Sequence, residues 1–172
     1  MQNSPIIYHE RLTSRITTTL FAGLSVIFLL LFLWRVSRRG MDGLVWFNLA
    51  LSGVFLFYVI NFRVLLITLI ARQVMIRFGI IRWIVPLRNI ETIELDEIPV
   101  MYQKGGAGVH FMSIQGRYRV SFNFLEYPRV VIRLRQQRGP VKDVSFSTKS
   151  PQMIIQYVRE IQALAPLPRV NL

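Results

Sequence analysis

Two runs of 19 residues without a charged side chain constrain this sequence more than anything else in it: Ile16–Trp34, ITTTLFAGLSVIFLLLFLW, and Leu44–Phe62, LVWFNLALSGVFLFYVINF. At about 1.5 Å per residue a helix of that length covers roughly 28 Å, close to the hydrocarbon thickness of a bilayer. The intervening Arg35–Gly43 holds Arg35, Arg38, Arg39, Gly40, Asp42 and Gly43, the composition of a turn in water. The reading is a membrane helical hairpin over 16–62, preceded by a tail over 1–15. Trp34 and Trp46 fall at the same membrane face, where indole rings favour the head-group region as interface anchors.

A cleaved signal peptide fits less well. Arg11 and Arg15 precede the first run, but the run is too long and arginines rather than a small-residue cleavage site follow it. Shifting the second span downstream would bury Arg63 at mid-bilayer, at about 2.5–3.5 kcal/mol. Ala22, Gly23 and Ser25 in one span and Ala50, Ser52 and Gly53 in the other would let the helices approach closely. A hairpin leaves both ends on one side. Arg11, Arg15, Arg63, Arg72 and Arg77 there outnumber Arg35, Arg38 and Arg39 in the linker, so both ends are expected in the cytoplasm, at a cell (inner) membrane.

Composition supports the same division. The chain is 52% hydrophobic and 17% charged, with a mean hydropathy of +0.40, more than one soluble core of 172 residues requires. It has no cysteine, hence no disulfide, thiolate metal site or thiol nucleophile. Its net charge of +12 is uneven: five basic and two acidic residues in 1–62, against 16 and seven in 63–172. The basic character belongs chiefly to the part after the hairpin, which points to an acidic surface or partner.

After Phe62 the pattern changes to short β-branched and aromatic runs between turn residues. Strands are expected near Val64–Ile70, Val74–Phe78, Ile80–Val85, Ile90–Leu95, Gly108–Ile114, Tyr118–Phe122, Val130–Arg135 and Val141–Phe146, forming an antiparallel β domain. Ser150-Pro151 then suits a helix start, and Met153, Ile154, Val158 and Ile161 recur at helical spacing. The helix should stop before Pro166, giving a β domain over 63–163 and a tail over 164–172.

The order of two spans, a β segment from Leu66-Ile67-Thr68 through Ile76-Arg77-Phe78-Gly79-Ile80-Ile81-Arg82-Trp83 to Pro86-Leu87-Arg88-Asn89-Ile90, and a last strand at Phe146-Ser147-Thr148 entering a helix at Pro151 resembles the bacterial pleckstrin-homology-like (PH-like) membrane proteins. The resemblance covers roughly residues 44–163. It implies a seven-stranded bent sandwich or partial barrel capped by the final helix, and a non-enzymatic binding or scaffolding module. The arginine-bearing linker and one candidate strand too many depart from that pattern.

The inventory for catalysis is thin. His9 lies in the expected tail, and His110 follows a glycine cluster with no partner at ligand spacing. Glu91, Glu94, Asp96 and Glu97 match no cation-binding loop and read as a solvated edge that balances arginines. Gly105-Gly106-Ala107-Gly108 lacks the Lys-Ser/Thr of a P-loop and opens a strand. No catalytic, metal or cofactor residue is therefore assigned, and the chain is expected not to be an enzyme.

Arginine placement is the functional signal. Val130, Ile132 and Leu134 share one strand face and Arg129, Arg133 and Arg135 the other, and Arg117 and Arg119 repeat this one strand earlier. If those strands pair, five guanidinium groups crowd one sheet face, which is unfavourable unless an anion, an acidic partner or lipid phosphate compensates; the other reading is a basic face that is simply solvated. Arg63, Arg77, Arg82 and Trp83 should lie near the head groups, because the second strand returns toward the membrane, with Trp83 either an interfacial anchor or a core aromatic. The expected function is a membrane-anchored scaffold or accessory subunit contacting lipids and another membrane protein or its own copy. The alternative is an anionic-lipid-binding module. Nucleic acid fits poorly, since no exposed aromatics interleave with the basic strands.

Overall fold

The computed structural model describes residues 5–98 and 107–164. The elements are β1 (Ile6–Thr13), α1 (Arg15–Arg39), α2 (Gly43–Asn61), β2 (Val64–Ile70), β3 (Gln73–Phe78), β4 (Ile81–Pro86), a 3-10 turn (Leu87–Asn89), β5 (Ile90–Leu95), β6 (Gly108–Ile114), β7 (Arg117–Asn123), β8 (Arg129–Arg138), β9 (Val141–Ser147) and α3 (Pro151–Leu164). α1 and α2 are long and apolar enough to cross a membrane, and most of their surface is free of protein contact.

The expected N-terminal tail is the first correction. Residues 6–13 form β1, paired antiparallel to β2 from Ile6↔Ile70 to Thr13↔Val64. Only Leu12 of this edge strand is fully buried, so apolar alternation alone does not reveal it. The helical hairpin is thus inserted between two paired strands, and both ends of it emerge on one side.

The linker is also shorter than expected. α1 runs on through Arg39, because nothing between Trp34 and Arg39 breaks a helix and arginine is a good helix former. Gly40 ends it, and Asp42 caps α2 by accepting from Val45 N at 2.8 Å while pairing with Arg35 at 3.0 Å. The two helices meet through a reciprocal serine clasp. Ser25 Oγ donates to Ser52 O at 3.0 Å and Ser52 Oγ donates to Ser25 O at 2.9 Å, both side chains buried. Gly23 and Gly53 face away from the pair, into open space.

Two sheets follow, ordered β1-β2-β3-β4 and β5-β8-β9-β7-β6. The described strands number nine rather than seven, and they form no closed barrel. Nor is the arrangement wholly antiparallel, since β7 and β9 run parallel, Val120 beside Val144. The long connection through β8 allows that crossing, which no local strand pattern announces. Between the sheets lies a core that includes Leu65, Ile67, Ile76, Phe78, Ile93, Phe122, Ile132 and Phe146.

α3 closes the sandwich, burying Ile154 and Val158 and half-burying Ile161 as its spacing anticipates, whereas Met153, expected on the same face, is exposed. Arg159 and Gln162 donate to the carbonyls of Ile93 and Ile90 at 3.1 and 2.9 Å, covering the outer edge of β5. At the start of α3, Glu10 of β1 accepts from Thr148 Oγ1 at 2.6 Å and Lys149 N at 2.8 Å. Tyr8 donates to the same carboxylate at 2.7 Å, so β1 latches onto the last helix. Burial and that carboxylate push the Tyr8 phenol up to about 12. The expected C-terminal tail lies outside the described residues after Leu164, as does most of the expected glycine loop before Gly108.

Candidate functional site

The junction between hairpin and β domain is packed rather than tethered. Phe28, Phe55, Phe21, Tyr58, Phe62, Phe78 and Phe124 make ring contacts in succession, each with centroids 4.9–6.1 Å apart, running from between the helices into the core of the sandwich. Edge-on and offset pairs at these distances add about 0.5–1.5 kcal/mol each beyond area burial. Tyr127 donates to Thr13 O at 2.9 Å, and Glu126 accepts from Ile16 N at 3.1 Å, which ties the base of α1 to the loop before β8. The β3–β4 turn presses on the end of α2. A Cβ at Gly79 would lie 2.0 Å from Asn61 O, and φ there is +60°, so only glycine fits.

This seating puts Gly79-Ile80 beside the C-terminal end of α2, although β4 begins at Ile81 rather than Ile80. Arg77 and Arg82 are direct cross-strand neighbours and both are exposed, as is Arg63 at the α2–β2 junction. Trp83 differs. It lies opposite Ile76 on the inner face, half-buried against the core, with the Arg138 guanidinium 4.9 Å over its ring. Trp34 and Trp46 are exposed near the tip of the hairpin.

The five remaining arginines share the outer face of the second sheet, but β9 intervenes between β7 and β8, so their strands do not pair. Strand order changes the electrostatics completely, because β9 carries Asp143 into the middle of the face, between Arg119 and Arg133. Arg117 Nε donates to Asp143 Oδ1 at 2.8 Å, which pushes its guanidinium above its ordinary value. Arg119, only 6% exposed, pairs with Asp96 at 3.0 Å and approaches Asp143 at 3.8 Å. Arg129, 7% exposed, lies 3.8 Å from Asp96 and donates to Ile98 O. Burial holds its guanidinium below the ordinary value, with Asp96 opposing the shift. Arg133 pairs with Glu94 at 3.2 Å, and Arg135 donates to Ile90 O at 3.1 Å.

The acidic edge balances arginines as expected through Glu94 and Asp96, and Glu91 and Glu97 are exposed, but at Asp96 the expected solvation is corrected. The Asp96 side chain is only 2% exposed and serves as a buried counter-ion, because β5 ends beside the start of β8. A concavity of about 730 Å³ beside this network is lined by Glu94, Asp96 and Glu97 as well as Arg119 and Arg133, so it offers no net attraction for an anion. The described residues contain no cluster of three or more His, Asp or Glu side chains placed to hold a metal ion. His9 contacts Thr68 Oγ1 across the β1–β2 pair at 3.1 Å, and His110 contacts the nearby Ala107 O at 3.0 Å.

Compared with protein-family models, curated proteins and solved structures, the chain matches none.

Proposed function

We propose that this protein is a non-enzymatic, membrane-anchored module: a two-span hairpin in the inner membrane holds a PH-like β domain on the cytoplasmic surface, as a scaffold or accessory subunit of a membrane assembly. The observation that carries this reading is the packed junction, with the hairpin inserted between β1 and β2 and joined to the core by a chain of tilted and edge-on aromatic contacts. A domain that only needed tethering would tolerate a flexible linker. A domain that must present one face at a set height and angle to a membrane neighbour needs a stiff one. Gly23 and Gly53 on the outward helix surfaces support lateral packing by a further helix. The PH-like assignment rests on a first sheet, a second sheet and a closing helix in that order, with the crossing of β7 and β9 as a departure.

Native mass spectrometry of the full chain released in mild detergent tests the reading. A stoichiometric complex with another membrane protein, or a defined homo-oligomer, is the expected result. A clean monomer under every mild condition would overturn it.

A further inference from the structure

A second arginine group lies on the outer face of the first sheet, and its register is visible only with β1 in place. Arg11 of β1 pairs with Leu66 of β2, Leu66 with Arg77 of β3, and Arg77 with Arg82 of β4. The four residues form one row across the sheet, on one face, and all three arginines are exposed. Arg77 and Arg82 stand opposite each other, about 5 Å apart at Cα, an arrangement that is unfavourable for like charges unless an anion lies between them. All nine carboxylate side chains of the protein are among the described residues, and none is ion-paired with these three.

The row also lies in the right place. It is two residues from the Gly79-Ile80 turn, about 7 Å at strand rise, and that turn abuts the last residue of α2. Arg77 Nε donates to Gly79 O at 3.2 Å, so its guanidinium leans toward the membrane end. Ile80 at the tip is 70% exposed, an apolar side chain open to its surroundings at the level where head groups would begin. Half-buried Leu66 sits within the row between Arg11 and Arg77, where their aliphatic stems can lie along it while the charged heads reach upward.

We propose that Arg11, Arg77 and Arg82 form a binding row for the phosphate of an anionic phospholipid in the chain's own bilayer. Planar guanidinium groups suit a phosphate shared between neighbours, and Ile80 inserts beside the acyl-glycerol region. This rests on the two-span reading but not on any protein partner. The row turns one end of the first sheet into a lipid contact and fixes the rotation of the domain about the hairpin axis.

The test uses the full chain in mild detergent, titrated with phosphatidylglycerol or phosphatidylcholine and followed by native mass spectrometry. The same spectra report subunit stoichiometry, so failure of the scaffold reading and failure of the lipid site are separately visible. Wild type should retain phosphatidylglycerol in preference to phosphatidylcholine. The triple variant Arg11→Gln, Arg77→Gln, Arg82→Gln should lose that preference by about tenfold, and Arg82→Gln alone should lose part of it should the triple variant fold poorly. Arg133→Gln, on the other sheet, should keep it. Millimolar inorganic phosphate should not displace the lipid. Equal retention of both lipids by wild type, an unchanged preference in the folded glutamine variants, or displacement by free phosphate would each overturn the proposal.

Discussion

The two sheets carry arginine on their outer faces for opposite physical reasons. In the second sheet Arg117, Arg119, Arg129 and Arg133 are held by Asp143, Asp96 and Glu94, and two of the four are more than nine-tenths buried. In the first sheet Arg11, Arg77 and Arg82 are exposed, share one row, and have no carboxylate within reach among the described residues. Alternating strands produce both patterns, so the number of arginines on a face says little about what it binds. What matters is whether the neighbouring strand contributes a counter-ion.

That contrast breaks most visibly at Asp143, 1% exposed between two arginines. Asp143→Ala leaves Arg119 buried with a single counter-ion and should cost about 3–5 kcal/mol of stability, read as a large drop in melting temperature. A loss below about 1 kcal/mol for Asp143→Ala would show the network to be hydrated rather than buried.

A smaller effect separates the two faces of the first sheet. Its outer face is basic and wet, whereas on its inner face Tyr8 donates to Glu10 with a phenol pushed up to about 12 from an ordinary 10.0. The folded protein holds that proton more tightly than the unfolded chain, so the contribution is complete below pH 10 and lost as pH rises toward 12. Discounted for partial solvent contact it is on the order of 1 kcal/mol. Melting curves across that range should fall less steeply for Tyr8→Phe than for wild type, and identical slopes would refute the assignment.

The smallest effects sharpen the comparison most. Arg133→Gln removes a pair whose partners are both about half exposed and should cost less than about 1 kcal/mol, less still in high salt. Arg82→Gln removes only like-charge repulsion from Arg77 and should be neutral or stabilising by a few tenths of a kcal/mol. If both variants destabilise alike, the first sheet has a counter-ion too and the distinction fails.

Much of this organisation is legible along the chain. The uncharged runs become α1 and α2, Val64–Ile70, Ile90–Leu95 and Gly108–Ile114 are strands with the expected limits, and Pro151 opens the last helix. These are local features, in which periodicity or an apolar run reports burial directly. β1 escaped because seven of its eight residues are not fully buried, so its identity depends on β2 across the hairpin. Arg117 and Arg119 were recognisable as one strand face, but their shared counter-ion Asp143 was not, since it reaches that face only through the insertion of β9 between β7 and β8.

Residue order therefore determined by itself that two apolar helices precede a β domain, that the domain carries most of the positive charge, and that its arginines alternate with core residues. Tertiary structure decided which of those charges remain open. Pairing across strands depends on loop closures between distant segments, and Coulomb interactions act over the distances that closure sets rather than over separation along the chain. The same closures bring Arg11 from before the hairpin into line with Arg77 and Arg82 after it, which places the row of open charge near the C-terminal end of α2.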